Sequence, residues 1–248
     1  MNPFPKEWLD IYMCLESNDI NNVDLIYNIC IKNNPIINID YYIFPILQFA
    51  IETGNIDILE WLSNLEIFNI DIFEPFLIAA ECGQIYVIMW GLLKGYELKT
   101  HHVLHAIKYG KLEVLEFAVV MLKKLNPTGN TDYYISPILQ YVIEHGHIAA
   151  LEWLYNIEII NIDSFQLFLL ASECGQLDVI IWGILKGYEL MPQHVLHAVK
   201  HGKLGVLEFA VDNIEEPVIF YNDLFIQTAI EYDHYNITEW YKNQGIPI

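Results

Sequence analysis

The sequence predicts an all-α solenoid of about eight stacked helix pairs, and two kinds of internal repetition lead to this prediction. Residues 81–98 return at 173–190 with 14 of 18 positions identical, an offset of 92 residues. A finer pattern recurs about every 31 residues: an apolar stretch, a glycine, and a second apolar stretch at helical spacing. Neither stretch is long enough to form a stable helix alone, so neighbouring pairs are expected to stack.

The glycine of each unit is predicted to end the first helix in a left-handed conformation, which glycine adopts without strain. Asn18 and Asp233 stand in the same slot near the two ends of the chain, and Asn and Asp are the next best suited to that conformation. The terminal units are therefore interpreted as atypical capping repeats. The six repeat glycines are Gly54, Gly83, Gly110, Gly146, Gly175 and Gly202.

One continuous array is predicted over residues 1–248, because no Pro/Gly/Ser-rich linker interrupts the repeats. The N-terminal capping repeat covers 1–40, and the first three-repeat block covers 41–132. The second three-repeat block covers 133–213, and the C-terminal capping repeat covers 214–248. The two blocks are the halves of a tandem duplication.

The charge of the chain limits the classes of partner. The formal net charge is −20, from 32 acidic and 12 basic residues, and every basic residue is a lysine. Arginine grips phosphate best and nucleic acid needs many cationic contacts, so nucleic acid and anionic membrane surfaces are disfavoured as partners. A protein partner is expected instead, and its surface is expected to be basic. With no signal peptide and no apolar run long enough to span a bilayer, a cytoplasmic location is expected.

The sequence offers no reaction centre, so a non-enzymatic protein without a cofactor is predicted. The motifs of nucleophilic serine hydrolases, zinc proteases and phosphate-binding loops are absent. Cys82 and Cys174 are interpreted as structural, since no histidine is fixed beside both. Two groups of histidines could supply zinc ligands: His101, His102 and His105, and His194 with His197. No third or fourth ligand is evident beside them, so they are interpreted as structural or surface residues.

The repeat unit resembles the ankyrin repeat over nearly the whole chain. The shared features are the small pair Ala79-Ala80 before a glycine, the triplets 110–112 and 146–148 that begin with the repeat glycine, and a closing glycine at Gly95 and Gly187. The Thr-Pro-Leu-His tetrapeptide of the family and its hairpin Asp/Gly residues are missing. The richness in Ile, Asn and Tyr is similar to ankyrin proteins of giant DNA viruses of protists, which would place the chain in the host cytoplasm.

The resemblance implies a protein–protein interaction scaffold that binds a host or viral protein on its concave surface. Positions just before the repeat glycine face that surface in an ankyrin-like array. Two of them differ between the copies, Thr53 against His145 and Tyr109 against His201, while apolar positions change conservatively. The predicted partner-binding residues are Glu52, Thr53, Glu81, Cys82, Lys108, Tyr109, Glu144, His145, Glu173, Cys174, Lys200 and His201.

Three other functions stay open from the sequence. Residues 4–9 are similar to the start of an F-box, which suggests a substrate adaptor for ubiquitin ligation. The acidity suggests a nucleic-acid mimic that occupies a basic protein. The third is a structural role, such as a self-assembling virion component. The interaction scaffold, in contrast, is expected to be a monomer or a weak oligomer.

Overall fold

Helices make up every regular element that the computed structural model describes, which confirms the all-α class. The structure describes residues 13–14, 17, 22, 24, 28, 40–64, 74–125, 132–158, 162–214 and 217–246. Most of the predicted N-terminal capping repeat, including Asn18 and the F-box-like segment 4–9, lies outside these residues. The chain forms two compact units, Met1–Met121 and Leu122–Ile248.

The first unit contains three helix pairs in the described part of the chain. Within it, α1 packs against α3 and α3 packs against α5, so the first helices of successive pairs lie side by side. Each of the first two pairs also packs internally, α1 on α2 and α3 on α4. The helices are α1 (Asp40–Thr53), α2 (Ile56–Ser63), α3 (Pro75–Cys82), α4 (Ile85–Leu93), α5 (Thr100–Lys108) and α6 (Leu112–Leu125), the last of which crosses the unit boundary.

The second unit repeats this order and adds a C-terminal pair. Its first helices pack in series, α7 on α9, α9 on α11 and α11 on α13. The helices are α7 (Asp132–Glu144), α8 (Ile148–Asn156), α9 (Ser164–Cys174), α10 (Leu177–Leu185), α11 (Pro192–Lys200), α12 (Leu204–Asn213), a 3₁₀ turn (Pro217–Tyr221), α13 (Asp223–Glu231) and α14 (Tyr235–Asn243).

The predicted left-handed helix ends are confirmed at all six repeat glycines, whose φ angles lie between 69° and 77°. Asp233 takes the same conformation with φ 56°, as its place in the pattern predicts. At Gly83 the backbone N–H of Gln84 donates to the carbonyl of Ala79 at 2.7 Å, which closes the helix end. The sharp turn that follows brings the second helix back along the first.

The core of each pair is aliphatic, with small residues where helices approach closely. Ala79 and Ala80 are fully buried in α3, and Ala171 and Ser172 take their places in α9. Gly183 in α10 faces the ring of Phe168, so close that a Cβ atom on the glycine would lie 2.6 Å from Cε1 of the ring. Close packing of this kind leaves little freedom to change volume in the core.

A buried tyrosine joins the C-terminal pair to the turn before it. The hydroxyl of Tyr241 donates to the backbone carbonyl of Phe220 at 2.7 Å, and both residues are fully buried. Burial raises the pKa of this phenol well above its usual range. The bond explains why the polar group is tolerated inside, since an unpaired buried hydroxyl would cost stability.

Candidate functional site

The predicted partner-binding residues all lie at the carboxyl ends of first helices, directly before a repeat glycine. Each unit is considered by itself. In the first unit, Glu52, Thr53, Lys108 and Tyr109 are exposed, and Glu81 and Cys82 are half-buried. In the second unit, His145 and Lys200 are exposed, and Glu144, Glu173, Cys174 and His201 are half-buried.

In the first unit, side chains connect neighbouring helix ends. Nε2 of Gln84 donates to the backbone carbonyl of Glu52 at 2.6 Å and so joins the α3–α4 turn to the end of α1. Nε2 of His105 lies 3.2 Å from Oε2 of Glu81. The Glu81 carboxylate raises the pKa of the Tyr109 phenol, by its charge first and also by accepting the hydroxyl hydrogen bond. These bonds connect the carboxyl ends of successive first helices.

In the second unit, the same positions form a different cluster. Gln176 repeats the bond of its counterpart, donating to the backbone carbonyl of Glu144 at 2.6 Å. Nε2 of His197 lies 3.2 Å from Oε2 of Glu173. His201 stands where the first copy has a tyrosine, and the ring centroids of His197 and His201 are 4.7 Å apart. One ligand atom from each of Glu173, His197 and His201 lies within 4.8 Å of the other two.

The prediction of a structural role is confirmed for two other histidines, His102 and His194. His102 and His194 are buried at the third position of α5 and α11. Nδ1 of each accepts a backbone N–H, from Lys99 and Met191 respectively, at 3.0 Å. Burial first, and then nearby positive groups, lowers the pKa of His102 to about 4, and burial also lowers the pKa of His194. Both imidazoles are therefore neutral hydrogen-bond acceptors at the start of a helix.

The two repeat cysteines are kept protonated by their surroundings. Burial raises the pKa of the Cys82 thiol, and the carboxylates of Glu52 and Glu81 add to the shift. The pKa of Cys174 is raised by burial and by the matching carboxylates of the second copy. A reactive cysteine needs the opposite environment, because the thiolate is the nucleophile.

A recurring network of tryptophan, glutamate and lysine was not predicted from the sequence. Nε1 of Trp90 donates to Oε1 of Glu60 at 2.8 Å, and Nζ of Lys94 lies 2.7 Å from Oε2 of the same carboxylate. These two bonds lower the pKa of Glu60. Trp182 and its partners repeat the arrangement in the second unit, with Nε1 2.6 Å from Oε2 of Glu152. The spacing within each repeat does not show this contact, because Glu60 and Trp90 belong to successive helix pairs and meet only through the packing of one pair on the next.

Trp90 and Trp182 are packing residues, since each is only 6% exposed. Their indole N–H groups donate hydrogen bonds to carboxylates of the preceding helix pair. Each network therefore joins one repeat to the next at the second helix, in addition to the apolar core.

Exposed apolar side chains on the second helices are a further feature that the sequence analysis missed. Tyr86, Met89 and Leu93 lie at i, i+3 and i+7 on α4 and are 74%, 43% and 88% exposed. On α10 the equivalent positions keep Ile181 at 39% and Leu185 at 81% exposure. Both helices also bury apolar residues, Val87 and Ile88 on α4 and Val179 and Ile180 on α10, so each is apolar on two faces.

Comparisons with family models, with curated proteins and with solved structures find no match to this chain. Among the described residues, the longest helices are too short or too polar to cross a bilayer.

Proposed function

We propose that the chain is a non-enzymatic scaffold for protein–protein interaction, built as an ankyrin-like solenoid of helix pairs. The observation that carries the proposal is the set of polar side chains at successive helix ends, connected to one another across neighbouring repeats. Glu81 takes part in two such contacts, with His105 and Tyr109. A surface that is already ordered loses little entropy on binding, which favours recognition of a folded partner.

The serial packing of first helices within each unit supports the solenoid. In such an array the ends of first helices fall in a row, each one repeat from the next. The row combines aromatic, carboxylate and lysine side chains, and aromatic residues are the ones most enriched at interface centres. With a net charge of −20, the partner surface is favoured to be basic.

Replacing Tyr109 with Ala is expected to weaken partner binding by about tenfold or more, because exposed aromatic anchors carry a large share of interface energy. The side chain is 45% exposed, so the fold should be kept. The partner would first be identified by affinity purification and mass spectrometry, and its Kd would then be measured for wild type and variant.

Tyr235→Ala is the matched control for this measurement. Tyr235 is 79% exposed and begins a second helix, whereas the predicted surface residues lie at the ends of first helices. Its loss should leave the Kd unchanged. Equal binding by wild type and the Tyr109→Ala variant would argue against this surface.

A second candidate, self-association, is favoured by the apolar stripe on α4. An exposed stripe of this kind often marks an interface. If two copies meet there, Leu93→Lys would place a charge in the contact and raise the dissociation constant of the oligomer at least tenfold. Sedimentation across a range of concentrations measures this, with Leu185→Lys as the equivalent change on α10. A wild-type chain that stays monomeric throughout would remove this candidate.

A further inference from the structure

We propose that Glu173, His197 and His201 form a binding site for a divalent transition metal of the zinc class, present in the second copy of the duplicated block and not in the first. Glu173 lies in α9 and His197 in α11, which pack on each other, and His201 is the C-cap residue of α11. Their ligand atoms all lie within 4.8 Å of one another. The site is a property of the folded chain alone and does not depend on the proposed scaffold function.

The ligand set is one that zinc uses. Two imidazoles and one carboxylate, with a water molecule in the fourth place, form a tetrahedral site with one open position. His197 and His201 are four residues apart at the end of a helix, the spacing at which two histidines share one face. Glu173 adds a negative charge from the neighbouring helix.

The distance between two of the ligands already fits a bound ion. Nε2 of His197 lies 3.2 Å from Oε2 of Glu173. Two ligand atoms on one tetrahedral zinc, with bonds of about 2.0–2.1 Å, are about 3.3 Å apart. His201 has only to close the remaining gap, because its ring already lies beside that of His197. The separation of the carboxylate and the first imidazole therefore needs no change.

Nearby positive charges are expected to weaken metal binding at this site. Lys200 and Lys203 both act on His201 electrostatically and oppose a dication there. Lys200 is partly engaged elsewhere, since its Nζ lies 5.3 Å from the ring centroid of Tyr232. With three protein ligands and two nearby lysines, a Kd on the order of micromolar is expected, far weaker than a closed four-ligand structural site.

The first copy provides an internal comparison. Glu81 and His105 keep the same 3.2 Å separation, but Tyr109 stands in place of the second imidazole. A neutral phenol is a poor ligand for zinc, whereas imidazole is among the best. The two clusters therefore differ at one ligand position, which is His201 in the copy proposed to bind the metal and Tyr109 in the copy that is not.

The test uses the purified full-length chain, freed of metal with a chelator and titrated with Zn²⁺ by calorimetry and with Co²⁺ by visible absorption. The wild type is expected to bind one equivalent. His201→Tyr, which copies the first cluster, should lower the affinity at least tenfold. Tyr109→His, which copies the second cluster, should add a second equivalent.

Both variants take a residue that the other copy already tolerates, so both should fold, and circular dichroism verifies this. Should His201→Tyr misfold, His197→Gln replaces it, with the same loss expected. No binding by the wild type would overturn the proposal. Unchanged binding by His201→Tyr would place the ion at other histidines and also overturn it. A Tyr109→His variant without a second equivalent would contradict the claim that these three residues are sufficient.

Discussion

Gly183→Ala is expected to lower the free energy of unfolding by about 2 kcal/mol, the usual cost of overpacking a core. The new methyl group would lie 2.6 Å from Cε1 of Phe168, whose ring is fully buried, so the closely packed side chains around it would have to shift. Helix propensity alone predicts the opposite sign, because Ala is about 1 kcal/mol better than Gly inside a helix. Urea unfolding followed by circular dichroism measures the difference.

Gly205→Ala is the control for this prediction. Gly205 lies in α12, and the nearest atom to its added Cβ is Cδ1 of Leu177 at an ordinary 3.5 Å. This change should be neutral or stabilise the chain by up to about 1 kcal/mol. In a Gly183→Ala/Phe168→Leu double variant, the smaller leucine side chain should make room for the new methyl group and recover part of the lost free energy of unfolding. A Gly183→Ala chain as stable as wild type would show that the helices can separate without cost.

The folded chain is expected to lose stability as the pH falls from about 6.5 to about 4, and His102 is one cause. Its pKa is lowered to about 4 in the folded chain, by burial first and then by His101, Lys99 and His105. An unfolded histidine titrates near 6.5, so below that pH the unfolded state takes up a proton that the folded state refuses. The contribution of this group is complete above about pH 6.5 and is lost by about pH 4, with a size of roughly 3 kcal/mol.

His102→Gln is the variant that tests this. A glutamine side chain has a carbonyl oxygen that can accept the Lys99 N–H now bound by Nδ1, but it does not titrate. The loss of stability between pH 7 and pH 4 should therefore be smaller than in wild type by the share of this histidine. His101→Gln removes the second cause of the lowered pKa of His102 and leaves burial, the largest cause, in place, so it should reduce the pH dependence by less than His102→Gln does. The same slope in wild type and His102→Gln would contradict the assignment.

The helix pairs could be predicted from the sequence because their signals are local. Each repeat glycine is a chemical requirement of one helix end, and the φ angles agree at every one of them. Even Asp233, the substitute in the last pair, was assigned correctly. The ends of the first helices, and hence the positions of the predicted surface residues, follow from the same signal.

The side-chain clusters could not be predicted, because they depend on how one helix lies against the next. His197 and His201 are neighbours on one helix, but Glu173 reaches them only through the packing of α9 on α11. The sequence analysis instead grouped His194 with His197. The structure turns His194 back to the backbone N–H of Met191, where it caps a helix. Spacing along the chain does not show whether a histidine will cap a helix or join a cluster with a neighbouring helix.

The buried indoles of Trp90 and Trp182 supply each compact unit with its own spectroscopic probe. Both are bonded to a carboxylate within their unit and are equally shielded from water. Chains that keep only one of these tryptophans would report by fluorescence on the melting of one unit at a time. Coincident transitions would mean that the duplicated halves unfold as a single cooperative body, and separate transitions would measure the stability of each half.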